Sequence, residues 1–363
     1  MTHFVTPSVS DADDRRGSGV RAGTSLLRVH ELRTTFPTPD GVARPVDGVS
    51  FEVGAGETVC LVGESGSGKS VTALSLLRLI PRPGAIAAES EIVFEDEQLL
   101  TLSDEEIRTV RGRRIGMVFQ EPMASLNPVL TVGEQIAEVV RVHTNASRAA
   151  AWERAVEMLA LTGIPAAAER ASQYPHQLSG GMRQRVMIAM ALVMHPALVI
   201  ADEPTTALDV TIQAQILTLL RELQARLGMA ILLITHDLGV VAEMADRVLV
   251  MYAGEIVESA GVEQLFHSTH HPYTEGLLHA MPTLGTERER LNTIPGVVPR
   301  ATQWPTGCRF RERCSYAWER CEREHPPLYQ IGDGHLSRCH LAQESERRRE
   351  QHQPLAARMG EGA

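Results

Sequence analysis

At 363 residues and 43% apolar composition, the chain has material for two domains or for one large domain with an appendage. Its formal net charge of −10 argues against a nucleic-acid-binding protein, whose surface shows a basic excess. No apolar run reaches membrane-spanning length, because the best stretches are broken at His195-Pro196 and at Thr235-His236-Asp237.

Residues 1–25 mix Asp, Arg, Ser and Gly without an apolar segment, and read as a disordered lead rather than a signal peptide. The chain is therefore expected in the cytoplasm, where disulfides are not expected. Two strand-like stretches, 27–35 and 44–53, flank a breaker-rich turn, Phe36-Pro37-Thr38-Pro39-Asp40-Gly41. An apolar run at 58–62 then leads into Gly63-Glu64-Ser65-Gly66-Ser67-Gly68-Lys69-Ser70, and a helical pattern follows at 71–77. G-x-x-x-x-G-K-S between a strand and a helix is the context of a phosphate-binding loop. Gly63, Ser65, Gly66 and Gly68 would let backbone N–H groups turn inward around phosphate oxygens at a helix N-terminus. Lys69 would reach the β- and γ-phosphates, and the Ser70 hydroxyl would ligate Mg²⁺. The chain is expected to bind a nucleoside triphosphate.

Short apolar runs at 91–94 and 115–119 read as strands, and the pattern turns helical from 132 to 195, most clearly at 147–161 and 182–194. Strand and helix then alternate at 197–201, 212–227, 230–235 and 238–245, before a hairpin, 246–251 with 255–259, around Tyr252-Ala253-Gly254. Alternation of this kind means an α/β fold with a largely parallel sheet. The central helical stretch, about 121–195, should form its own subdomain. Beyond residue 270 the composition shifts to Pro, Arg, His and Cys, marking an appendage over 271–341, and 342–363 reads as a charged, disordered tail. No internal repeat is present.

The apolar run 198–201 ends in Asp202-Glu203. In a phosphate-loop protein the first acid can hold Mg²⁺ through water, and the second is placed to take a proton from the attacking water. Leu178-Ser179-Gly180-Gly181-Met182-Arg183-Gln184-Arg185 opens a helix whose first N–H groups could bind a second anion. One such loop suffices per triphosphate, so this one would serve a neighbour's nucleotide. Ser179 would equally act as a plain N-cap.

Together these residues, with Thr206-Ala207-Leu208-Asp209 and Ile234-Thr235-His236-Asp237, resemble the ATP-binding cassette (ABC) ATPases over about residues 26–270. LSGG-x-x-Q/R upstream of the Asp-Glu strand is the most specific part of the match. The resemblance implies a phosphate-loop parallel-sheet core, an antiparallel β subdomain and an α-helical signature subdomain. It implies that Phe36 stacks on adenine, although a strand-end Phe can also be a core side chain. It implies that Gln120 touches Mg²⁺ and the attacking water, with Ser70 and Asp202 on the same ion, and that Glu203 and His236 serve hydrolysis. Ser179, Gly180 and Gly181 would bind the γ-phosphate held by an opposing subunit, with Asp209 at the dimer seam.

Several further stretches resemble the ATPase subunits of dipeptide and oligopeptide importers, to about residue 340. They are Gln120 through Pro128, Tyr174-Pro175-His176-Gln177, the run from His271 to Leu278, Pro295-Gly296, and the C-terminal cysteines with Pro326-Pro327-Leu328. This implies an ATPase powering peptide import at the cytoplasmic face of the membrane. Its expected partners are a second ATPase subunit in a heterodimer, two membrane-spanning permease subunits docking after Gln120, and an extracytoplasmic peptide-binding protein. Similar ATPases serve nickel and other small solutes, so the cargo stays open. A soluble non-transport ABC ATPase is disfavoured by the single cassette, the lack of a long heptad run and the acidic balance.

Four of the five cysteines, Cys308, Cys314, Cys321 and Cys339, fall in a Pro-interrupted region too poor in apolar residues to fold securely alone. A metal centre would supply stabilisation there. Zinc is one reading, although its ligands usually come in closer C-x₂₋₄-C pairs. A 4Fe-4S cluster, its negative charge tempered by Arg309, Arg311, Arg313, Arg320 and Arg323, is another and is favoured by the resemblance. Unliganded or oxidised thiols are the third.

Overall fold

The computed structural model describes residues 25–206, 208–281, 294–344 and 346. Strands β1 (Ser25–Thr38) and β2 (Gly41–Gly54) form a long antiparallel hairpin. The breaker-rich stretch at 36–41 is thus mostly strand: Phe36 pairs with Ala43, and only Pro39 and Asp40 make the turn. Gly41 leaves that turn at φ 117°, a value open to glycine, so the hairpin closes tightly where a longer loop was expected. β3 (Thr58–Val62) follows, then the short strands β4 (Ala85–Ile86), β5 (Glu91–Phe94) and β6 (Glu97–Gln98). They complete a five-stranded antiparallel sheet of order β2-β1-β5-β6, with β4 also on β1.

The remaining strands are β7 (Ile115–Val118), β8 (Leu198–Asp202), β9 (Ala230–Thr235), β10 (Arg247–Tyr252), β11 (Glu255–Gly261), β12 (Tyr329–Gly332) and β13 (His335–Ser337). With β3 they build an eight-stranded sheet of order β12-β13-β11-β10-β3-β9-β8-β7. Its five strands from β10 to β7 run parallel. All five residues of β3 are buried. Val59 and Leu61 pack toward the small sheet, while Cys60 and Val62 pack into the helical core. A parallel strand covered on both faces must be apolar throughout rather than alternating, which is why it reads as a continuous run.

Helices Val132–His143, Arg148–Leu161 and Gly180–Leu192 form the expected central helical layer. Thr131, Ser147 and Ser179 cap them, each side chain accepting a backbone N–H from the first turn. Helices Val210–Leu227 and Leu238–Met244 cover the sheet after β8 and β9.

The region beyond 270 is joined closely to the rest. Tyr273, on helix Pro272–His279, is fully buried, with its ring 4.6 Å from that of Tyr252 and 5.4 Å from that of Phe310. β13 pairs antiparallel with β11 through Glu258 opposite Ser337 and Ser259 opposite Leu336. Glu258 is fully buried at this seam. It accepts from Thr269 Oγ1 at 3.0 Å and from the N–H groups of His270 and His271 at 2.6 and 3.1 Å, and it meets His335 Nε2 at 2.8 Å. Among the described residues no helix is long and apolar enough to cross a membrane. Nearly all of the lead expected at 1–25, and of the tail expected at 342–363, lies outside the described residues, as does Ala207.

Candidate functional site

The loop between β3 and helix Lys69–Leu76 is held open by its glycines. Gly63 takes φ 156° and Gly68 φ 111°. A Cβ on Gly63 would run into the Met251 carbonyl oxygen, and one on Gly68 into that of Pro45. Both are backbone atoms that cannot yield. The Ser67 hydroxyl is buried without a hydrogen-bond partner among the described residues. Lys69 is buried and folds back over the loop, donating to the carbonyls of Gly63 and Glu64 at 2.8 and 3.0 Å. Burial pulls its pKa down, opposed by the carboxylates of Glu203, Asp202 and Glu64. An orphaned donor, a cation bonded only to neutral carbonyls and a helix N-terminus fit a bound polyphosphate.

Ser70 donates to Asp202 Oδ1 at 3.2 Å, which puts hydroxyl and carboxylate where both can hold Mg²⁺. Asp202 is the last residue of β8 and is buried, and burial raises its pKa. Glu203, the next residue, leaves the strand at φ 47°. Its Oε2 accepts from Gln120 Nε2 at 2.9 Å and from Thr206 Oγ1 at 2.8 Å, and its Oε1 lies 3.2 Å from His236 Nδ1. Burial pushes the Glu203 pKa up, but the hydrogen bonds from Thr206 and His236 and the charges of His236 and Lys69 outweigh it and hold it below the ordinary value. Two adjacent carboxyls are thereby driven apart. Glu203 stays an anion with its acceptor lone pairs fixed, which suits it to take a proton.

Of these groups, Gly63 to Gly66, Gln120, Glu203 and His236 line one cavity of about 970 Å³, whereas Gly68, Lys69, Ser70 and Asp202 lie behind its lining. Ser179, Gly180 and Gly181 do not line it. Ser179 is exposed and caps its helix, and Gly181 packs against Ile212. Asp209 is likewise exposed and caps helix Val210–Leu227 through the Ile212 N–H at 2.9 Å. Phe36 also stands off the phosphate cavity: a Cβ on Gly84 would collide with its ring.

The four C-terminal cysteines come together, with Cys308, Cys314, Cys321 and Cys339 lining one small cavity beside Phe310, Trp318 and His340. Burial pushes the Cys308 and Cys314 thiols up to about 12, and the neighbouring thiols add to the rise. All are free cysteines. Among the described residues, however, no group of three or more His, Cys, Asp or Glu side chains is arranged to hold a metal ion. The 4Fe-4S cluster and metal-bearing Cys-rich appendage expected above are not supported at that level: the thiols meet, but not as a formed ligand cage.

Sequence reasoning missed one wall of the nucleotide cavity. Leu277, residues 296–301 and Arg313 all line it, and Tyr273 Oη accepts the Glu64 N–H at 2.8 Å. The available signal was Glu64 itself, a carboxylate inside an anion cradle, which calls for a cation from elsewhere in the chain.

Comparison with known proteins adds a second line. The ABC transporter family profile matches residues 46–206, and that of the oligopeptide/dipeptide transporter C-terminal region matches 257–321. A putative peptide import ATP-binding protein of Brucella abortus is 54% identical over 325 residues, covering 86% of this chain and 96% of that protein. The oligopeptide transport ATP-binding protein OppD of Bacillus subtilis is 51% identical, covering 88% of this chain and 89% of OppD. The dipeptide transport ATP-binding protein DppD of Escherichia coli is 49% identical, covering 87% and 96%. Among solved structures, the dimeric ATP-binding cassette MJ0796 with ADP and Pi is similar at TM-score 0.59 and 28% identity, over 65% of this chain and 99% of that one.

Proposed function

The chain belongs to the ABC transporter family and carries its oligopeptide/dipeptide transporter C-terminal region, and from that premise we propose that it is the ATP-hydrolysing subunit of a di- or oligopeptide importer. The observation that carries the reading is the meeting of Gln120, Glu203 and His236 beside a phosphate loop in a chain whose residues 257–321 match the C-terminal region of peptide transporters. Lys69 and the loop amides bind the triphosphate, and Phe36 takes the adenine. Ser70, Asp202 and Gln120 hold Mg²⁺, which supplies charge neutralisation on the phosphates when bound. Glu203 takes the proton of the attacking water, and Gln120 and His236 fix the orientation of its carboxylate.

Ser179 and Asp209 are exposed and Ser179, Gly180 and Gly181 do not line the cavity of their own chain, which supports the reading that they complete the site of an opposing cassette, with Asp209 at the seam. The working unit is then a head-to-tail pair, here a heterodimer, closed by two bound nucleotides. Binding energy spent on closure moves the permease subunits. We place the chain peripherally on the cytoplasmic face, with two membrane permeases and an extracytoplasmic peptide-binding protein completing the assembly. The four-thiol cavity is read as the place of a 4Fe-4S cluster, with Zn²⁺ as the alternative. Its support is four free thiols, two buried and two partly buried, lining one small cavity. Iron and acid-labile sulfide in anaerobically purified protein, lost in Cys321→Ser, would bear this out, and stoichiometric zinc or bare thiols would end it. Purification of the intact complex, with mass-spectrometric identification of the ligand on its binding protein, tests the cargo: peptides are expected, and a metal or sugar ligand overturns the reading.

A further inference from the structure

Glu64 sits at the second position of the phosphate loop, where a carboxylate would repel the triphosphate. It is not left alone. Arg313, 249 residues further along, meets it with both arms of the guanidinium: Nη1 to Oε2 at 2.6 Å and Nη2 to Oε1 at 2.9 Å. A bidentate fork of this kind fixes orientation as well as charge. The Arg313 side chain is 5% exposed and that of Glu64 31% exposed, so this is not a loose surface pair. Arg313 is itself anchored, since its Nε donates to the Pro295 carbonyl at 2.8 Å and its guanidinium lies 5.7 Å from the centre of the Tyr252 ring. The same loop residue is held from behind by Tyr273, which accepts the Glu64 N–H.

We propose that Arg313 is a positioning residue for nucleotide binding: it neutralises and fixes Glu64, so that the C-terminal region sets the affinity of the phosphate loop. The inference rests on the ATP-site reading above. With Arg313 in place the carboxylate is turned onto the guanidinium and its charge is compensated. Without it, an anion is freed at the rim of an anion site, and the loop loses its tie to the region beyond residue 294. Arg313 also stands next to Cys314 in the turn that begins at Cys308, so disorder at the four-thiol cavity would reach the phosphate loop by this route.

The test is the affinity of the full-length chain for a fluorescent ATP analogue with Mg²⁺, measured at two ionic strengths. Arg313→Ala should weaken binding about tenfold or more, with the deficit shrinking as salt rises. Glu64→Gln should bind more tightly than the parent, and adding it to Arg313→Ala should restore most of the loss. A merely structural role for Arg313 would show no such rescue. Parent-like affinity in Arg313→Ala, or a double variant as weak as the single one, overturns the proposal. Should Arg313→Ala fail to fold, Arg313→Lys must bind more weakly than the parent and Glu64→Gln more tightly, and parent-like affinity in either overturns it. Lys69→Ala separates the two levels. If it binds normally, the site reading falls; if it loses binding while Arg313→Ala does not, only the role of Arg313 falls.

Discussion

Replacing Glu203 with Gln removes one charge and one proton acceptor while changing little else. Gln120 and Thr206 both donate to Oε2, and a glutamine oxygen there keeps both bonds. The amide nitrogen then faces His236 Nδ1, at 3.2 Å in the parent, and can donate to it when the ring is neutral. Side-chain position should therefore survive, and a negative charge beside the triphosphate site disappears. Loss of a positioned base typically slows turnover by about 10² to 10⁴, or roughly 2.7 to 5.4 kcal/mol of barrier. Nucleotide affinity should be unchanged or higher, and the closed two-cassette state should accumulate. Phosphate release under single-turnover conditions, with equilibrium binding of a fluorescent nucleotide, measures both on the intact complex. Near-normal turnover would refute the assignment of the base, and lost binding would show that the carboxylate is structural. The pH dependence has a definite sign. The Glu203 pKa is held below its ordinary value of 4.5, so the base is ionised at neutral pH and the base-dependent step fails only on the acid side, as pH falls through that lowered value.

Three other outcomes are expected. Lys69→Ala should lose nucleotide affinity by an order of magnitude or more without unfolding, read by nucleotide titration alongside far-UV circular dichroism. Gly68→Ala should displace the phosphate loop, because its φ of 111° and the Pro45 carbonyl leave no room for a Cβ. Backbone strain of about 1–3 kcal/mol and loss of nucleotide binding would follow, and a parent-like midpoint and affinity would show that the glycine is dispensable. Glu258→Ala should cost about 3–5 kcal/mol by leaving His335 and two backbone donors unpaired, read from urea unfolding through the fluorescence of Trp304 and Trp318. Burial raises the Glu258 pKa, but hydrogen bonds from His335 and the backbone prevail and the net shift is downward. Its contribution is thus complete above the ordinary glutamate value of 4.5 and fades as pH falls through the lower folded value, and Glu258→Gln should flatten that acid limb.

The phosphate loop and the Asp202-Glu203 pair were legible because their chemistry is written in consecutive residues at the ends of apolar strands. The central helices were legible for the same reason, since spacing and caps are local. What could not be read depends on chain segments that meet only after folding. The Arg313 fork on Glu64 spans 249 residues and leaves no periodic trace. Strands β12 and β13 are only four and three residues long, Tyr-Gln-Ile-Gly and His-Leu-Ser, too short for a period to be read, and they draw their pairing from β11 and from each other. Phe36 opens the turn expected at 36–41, yet it continues β1, because the hairpin needs only Pro39 and Asp40 to reverse.

β11 has a consequence for anyone who would shorten this protein. Around Glu258 and Ser259 the sheet's backbone on that side is met by β13, not by solvent. A fragment ending after helix Pro272–His279 would look like a whole ATPase domain by sequence. It would nonetheless leave β11, six of whose seven residues are buried in the full chain, without its pairing at Glu258 and Ser259, and with the Glu258 carboxylate stripped of its His335 partner. Unpaired strands of that length recruit other strands. Such a fragment should therefore precipitate or associate with itself through β11, and would be kept monodisperse by restoring residues 329–337 as a separate peptide.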